Sequence, residues 1–178
     1  MRLPSYSGEL TKESIEGLGL LDGIWRESAN LFSVRAQSRR QLNKPDPLGI
    51  QPFINEAIDR RFLEAGWDGK DSRFVKNKTW IRISFRHQMS LGSDFLDAIR
   101  LPIAEGIEQC IILGASSDFL RIISPKDWRV LCSSERMFAQ AMQLEKSFNS
   151  PIIVGELSPK SELSPDAKKL VYGPRISG

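Results

Sequence analysis

Residues 71–85 read Asp-Ser-Arg-Phe-Val-Lys-Asn-Lys-Thr-Trp-Ile-Arg-Ile-Ser-Phe, and they hold the most suggestive chemistry of the chain. Arg82 and Ser84 alternate with Ile81, Ile83 and Phe85, so in a strand they share one face, opposite an apolar one. Arg73 lies upstream, and Lys70, Lys76 and Lys78 are spread around it. An arginine stays protonated and only donates hydrogen bonds, so it serves neither as a base nor as a metal ligand. Arginines instead suit a phosphate, whose oxygens match the planar guanidinium fork. The carboxylates within reach in sequence are Asp68 and Asp71, with Glu56 and Asp94 further away. His87 is the single histidine, between Arg86 and Gln88, and these three read as a solvated loop.

Several classes are set aside by composition. The chain has 178 residues with a formal charge of +3, which suits one domain with a real core. A sequence pI near 9.0 permits nucleic-acid binding without requiring it. Cys110 and Cys132 lack metal-ligand spacing and form no disulfide framework, and Cys110 reads as a buried thiol. Gly17-Leu18-Gly19 lacks the strand-then-helix context of a nucleotide-binding loop. The start of the chain has no basic-then-apolar signal pattern, and no apolar run approaches ~18 residues. The expectation is a cytoplasmic protein without a membrane partner.

The elements that would position the arginines are legible in part. Residues 9–34 carry a helical pattern interrupted by Gly17, Gly19 and Gly23, predicting one or two short helices. A basic run, Arg35, Arg39, Arg40 and Lys44, leads into a turn or linker at Lys44–Gly49. Phe53, Ala57, Ile58, Phe62 and Ala65 fall on one face of a helix over 52–66, opened by Pro52 and ended by Gly66. Trp80–Phe85 reads as a strand, and Trp67 and Trp80 as core. A helix is predicted over Ser93–Glu105 with Ser93 as its cap, and strands at Gln109–Leu113 and Phe119–Ile123. An amphipathic helix at Ser134–Phe148 and a strand at Pro151–Val154 complete the pattern, with an extended tail from Ser158. This order predicts an α/β fold with a central mixed sheet flanked by helices. The expected organisation is a helical segment and linker over 1–50 within one domain, a core over 51–157 and a tail over 158–178.

Over roughly residues 50–160 the chain resembles the restriction endonucleases of the BglII and BstYI type, which have the PD-(D/E)xK nuclease fold. Ile54-Asn55-Glu56-Ala57 through Gly66-Trp67 is similar to the family's "LNEAF…GW" helix. Phe74-Val75-Lys76-Asn77-Lys78 resembles its "DFVKDR" hairpin, and Ile81–Phe85 its "IEVQF" strand. Ser93-Asp94-Phe95-Leu96 resembles its "YDLF" helix, and Pro151–Pro159 its final strand.

The resemblance implies a homodimer astride double-stranded DNA. It implies that the acid before "FVK" and the Glu of "IEVQF" bind a divalent metal. Here Arg73 stands at the first position, Arg82 at the second and Ser84 at that of the Gln, while Asn55, Glu56 and Asp94 remain. Mg²⁺ demands hard oxygen ligands, and a guanidinium in their place repels it. The expectation is therefore a duplex-DNA-binding protein without catalysis or resident metal. Arg73 and Arg82 would hold the backbone, joined by Lys70, Lys76, Lys78, Arg86, His87 and Gln88. Two alternatives stay open: a Mg²⁺-dependent type II endonuclease whose site is rebuilt with Asp71, Glu56 or Asp94, and a scaffold for a protein partner in restriction–modification or phage defence.

Overall fold

The computed structural model describes residues 10–47, 49–148 and 152–157. The tail expected from Ser158 lies outside them. Six helices and five strands are described: α1 (Lys12–Gly19), α2 (Ile24–Gln41), α3 (Gln51–Glu64), β1 (Asp68–Lys70), β2 (Arg73–Lys76), β3 (Thr79–Ser84), α4 (Leu91–Glu105), β4 (Gln109–Ala115), α5 (Ser117–Ile123), α6 (Ser134–Leu144) and β5 (Ile152–Leu157). The strands form one sheet in the order β1-β2-β3-β4-β5. β1, β2 and β3 run antiparallel, while β3, β4 and β5 run parallel. The chain is thus a mixed α/β fold, with a five-stranded mixed sheet flanked by helices.

Period-two alternation sorts the strand side chains onto two faces. Phe74, Ile81, Ile83, Ile111, Leu113 and Ile153 pack with residues of α1, α2, α3 and α5. Trp80, Cys110, Ile112 and Val154 pack with residues of α4 and α6. The two layers form because a parallel pair needs a long crossover, and helices supply it on either face. Leu18, Ile24, Phe32 and Ala36 of α1 and α2 join the same cluster as α3.

α3 closes as its sequence predicts. Gly66 adopts φ 76°, Gly66 N–H donates to Leu63 O at 3.0 Å, and Trp67 N–H donates to Phe62 O at 2.9 Å. That is a Schellman closure, reinforced by edge-to-face contact of Phe62 with Trp67 at 5.2 Å. Phe62 also stacks on Phe74 of β2 at 4.1 Å, so α3 is fixed against the hairpin.

Three expectations need correction. Phe119–Ile123 is not a strand but the body of α5, because Ser116 accepts a hydrogen bond from Phe119 N–H at 3.2 Å and starts a helical turn. Phe119, Leu120 and Ile123 then face the core together, as helical spacing allows. α4 begins at Leu91 rather than Ser93, with Ser90 at its cap and Pro102 inside it. α6 ends at Leu144, and a 3-10 turn covers Glu145–Ser147. The basic run at Arg35, Arg39 and Arg40 lies on α2, which extends to Gln41. Among the described residues, no helix is long and apolar enough to cross a membrane.

Candidate nucleic-acid interface

The β1–β2 and β2–β3 hairpins carry the site. Lys70 pairs with Arg73 across a two-residue turn made by Asp71 and Ser72, with φ 54° and 59°. Two successive left-handed residues define a type I′ turn, whose twist suits a tight hairpin. Asn or Asp followed by Gly usually fills it; Asp71 suits the first place, and Ser72 bears the strain at the second. Arg73 lies opposite Arg82 in the β2–β3 register, so both point to the α4 side of the sheet. β1 and β2 leave a cleft there of about 400 Å³, lined by Asp68, Gly69, Lys70, Asp71, Arg73, Val75, Arg82 and Arg86.

Arg82 does not present a free cation to this cleft. It is 4% exposed, and its Nε donates to Oδ1 of Asp94 at 3.0 Å. Its Nη1 donates to the Asp71 carbonyl at 2.5 Å. Asp94 is wholly buried and also accepts from Ser84 Oγ at 2.8 Å, with Arg86 Nη1 at 3.7 Å. Burial draws the Arg82 pKa below its usual value, opposed by the charge and hydrogen bond of Asp94; Arg86 and Arg73 add repulsion that lowers it further. A buried carboxylate is tolerable here because a guanidinium and a hydroxyl meet it.

Arg73 is half exposed and pairs with Asp97, one helical turn beyond Asp94, at 2.7 Å. Lys70 and Arg86 are exposed on the cleft, as are Asp68 and Asp71. Four cations, Lys70, Arg73, Arg82 and Arg86, thus gather with four carboxylates, Asp68, Asp71, Asp94 and Asp97, and the ion pairs among them are Arg73–Asp97, Arg82–Asp94 and Arg86–Asp94. The cations at the mouth are Lys70, Arg73 and Arg86. Arg82 lies behind them.

The structure does not bring Lys76 and Lys78 to this place. They sit at the far end of the hairpin, where Lys76 binds Glu16 at 2.7 Å and Ala65 O at 2.8 Å, and Lys78 pairs with Glu108. Asn55 and Glu56 lie on α3 and do not line the cleft; Glu56 is exposed and Asn55 Oδ1 is buried without a partner. His87 and Gln88 are exposed beyond β3, with His87 bridged to Leu131 and Gln88 N–H donating to Val130 O at 2.9 Å. Gln88 Oε1 accepts from Arg136 at 2.6 Å. Trp67 and Trp80 are buried, as is Cys110.

Two residues were missed. Asp97 balances Arg73, and Asp59 of α3 accepts from Ser72 N–H at 2.9 Å, holding the turn from below. The three-residue spacing of Asp94 and Asp97 on a helix was the available signal for the first.

The donor set does not suit Mg²⁺. Asp94 and Asp97 face guanidinium groups, and among the described residues no group of three or more acidic, histidine or cysteine side chains converges to hold a metal. Arg82 at its centre donates hydrogen bonds and cannot ligate a divalent cation.

Neither a protein-family model nor a curated protein matches this sequence. Among solved structures, the restriction endonuclease BglII complexed with a DNA 16-mer is 16% identical with a TM-score of 0.48, covering 60% of this chain and 55% of that one. Free BglII is 15% identical with a TM-score of 0.46, covering 61% and 59%. This chain spans just over half the length of those structures.

Proposed function

We propose that the protein binds duplex DNA with a restriction-endonuclease-like fold and does not cleave it. One observation carries the reading: Arg82, where the resemblance places a metal-binding Glu, is locked to Asp94, while Lys70, Arg73 and Arg86 line an open cleft beside it. Lys70, Arg73 and Arg86 hold backbone phosphates, and His87 and Gln88 extend the contact beyond β3. The protein works in the cytoplasm as a homodimer whose two-fold axis matches a palindromic site.

The test is fluorescence anisotropy with duplex DNA, titrated with salt in metal-free buffer. Micromolar or tighter binding with a steep slope is expected, each neutralised phosphate contributing about 0.9 to the logarithmic slope. Arg73→Ala should flatten that slope by about one unit. Absence of binding at low salt would overturn the reading. Plasmid nicking with Mg²⁺ or Mn²⁺, abolished by EDTA, would transfer it to an active endonuclease with a rebuilt site.

A second reading, a scaffold for a protein partner in restriction–modification or phage defence, draws on the balanced charge of the cleft. It also draws on Leu96 and Ile103 of α4, which are 67% and 73% exposed. A partner that co-purifies with a chain lacking DNA affinity would favour it.

A further inference from the structure

We infer that Arg82 is a positioning residue: it acts on the ligand through the Asp71–Ser72 turn that forms the wall of the cleft, and makes no contact with the ligand itself. The inference rests on the reading that the cleft takes a nucleic-acid backbone.

The geometry assigns this role on four counts. The Arg82 guanidinium has one edge on Asp94 and one on the Asp71 carbonyl, and its side chain is only 5% exposed. The turn it grips has positive φ at two non-glycine residues, a conformation that Asp71 tolerates but Ser72 adopts only at a cost. The turn is gripped from three sides. Arg82 holds the Asp71 carbonyl, Asp59 holds the Ser72 N–H, and Ile83 N–H donates to Ser72 O at 2.8 Å. The residues on and beside the turn, Asp68, Gly69, Lys70, Asp71 and Arg73, make up most of the cleft lining. A hairpin whose turn carries Ser72 where glycine is favoured therefore borrows its geometry from a buried arginine on the next strand.

Arg82→Lys separates positioning from contact. Lysine keeps a charge for Asp94, but its compact head lacks the fork that reaches both Asp94 and the Asp71 carbonyl. If the turn then holds its shape a tenth of the time, apparent affinity falls about tenfold. A positioning role leaves the salt slope unchanged, whereas loss of a phosphate contact lowers it by about one unit. The decisive arm is rescue. Asp71→Asn with Ser72→Gly installs the pair that favours a type I′ turn unaided. In the Arg82→Lys background this pair should restore most of the lost affinity. In the parent chain it should change affinity far less, a comparison that also absorbs the charge removed at Asp71.

Amide exchange at Ser72 and Ile83 reads the turn without DNA. Faster exchange in Arg82→Lys, slowed again by the Asn-Gly pair, is expected. A lowered salt slope without rescue would make Arg82 a direct contact and overturn the inference. Unchanged exchange in Arg82→Lys would overturn it too. A parent chain that binds no duplex, with exchange behaving as expected, would remove the DNA reading and leave the turn's dependence on Arg82 standing.

Discussion

On the side of α1, α2, α3 and α5, the sheet presents Phe74, Ile81, Ile83, Ile111 and Leu113, and the helices answer with Phe53, Ile54, Ile58 and Phe62. On the side of α4 and α6, the same strands present Trp80, Cys110 and Ile112, but also Arg82 and Ser84, and α4 answers with Asp94. The first face is held by volume, because dispersion and water exclusion respond to every methyl group. The second is held partly by charge balance, in which removing one member leaves another stranded. The face that borders the cleft is the one built on charge, so the Arg82–Asp94 pair that stabilises it also backs the cleft lining.

The largest expected effect tests that distinction directly. Arg82→Ala should lower unfolding free energy by about 3–5 kcal/mol, since Asp94 is left buried with its charge unmatched. Arg82→Met combined with Asp94→Leu should recover most of the loss, because both charges leave together. Urea midpoints at constant slope check both. If the double variant were as unstable as Arg82→Ala, volume and not charge would govern this face.

A smaller effect lies at alkaline pH. Burial raises the thiol pKa of Cys110 to about 12 and of Cys132 to about 11, and both pack on the α4–α6 face. An unfolded thiol titrates near ~8.5. Above that pH the unfolded chain has released a proton that the folded chain keeps. Stability is therefore whole below about pH 8.5 and declines as pH rises through the folded values, by up to about 1.4 kcal/mol per pH unit per thiol. Cys110→Val should make the decline shallower; an unaltered slope would assign it to other groups.

On the apolar face, Ile81→Val removes one methyl and should cost about 0.5–1.5 kcal/mol with no change in salt slope. The smallest effect is reserved for Lys78→Ala. Its pair with Glu108 is exposed on both sides, so a change below about 0.5 kcal/mol is expected, with DNA affinity close to the parent. A marked loss of affinity in Lys78→Ala would move the interface to the other end of the hairpin.

How much of this was legible in the sequence varies with the range of the forces involved. α3 announces itself because Phe53, Ala57, Ile58 and Phe62 repeat at helical spacing and Gly66 supplies the left-handed stop. β3 does so because Ile81 and Ile83 alternate with Arg82 and Ser84. β1 and β2 are three and four residues long and mostly polar, so they exist as strands only because β3 offers a neighbour. Phe119–Ile123 is a short apolar run that suits strand and helix alike, and the side chain of Ser116 decides it. The site followed the same rule. The shared face of Arg82 and Ser84 follows from alternation. The pairing of Arg73 with Asp97, and of Ser72 with Asp59, depends on elements that meet only in the folded chain.

The shared carboxylate of Asp94 also constrains how this chain can change over generations. A lone Arg82→Glu would set two carboxylates against each other in a buried place, with Arg86 at 3.7 Å as the nearest compensating charge. One of the two carboxyls would then keep a proton, and the broken pair would lower stability before any cation site was gained. Altering Asp94 alone strands Arg82 in the same way. The charge at this position can be exchanged only through coordinated steps, each single step passing through a poorly folded intermediate. One hydrogen-bonded pair thus acts as an evolutionary ratchet, holding the centre of the cleft in its present chemistry.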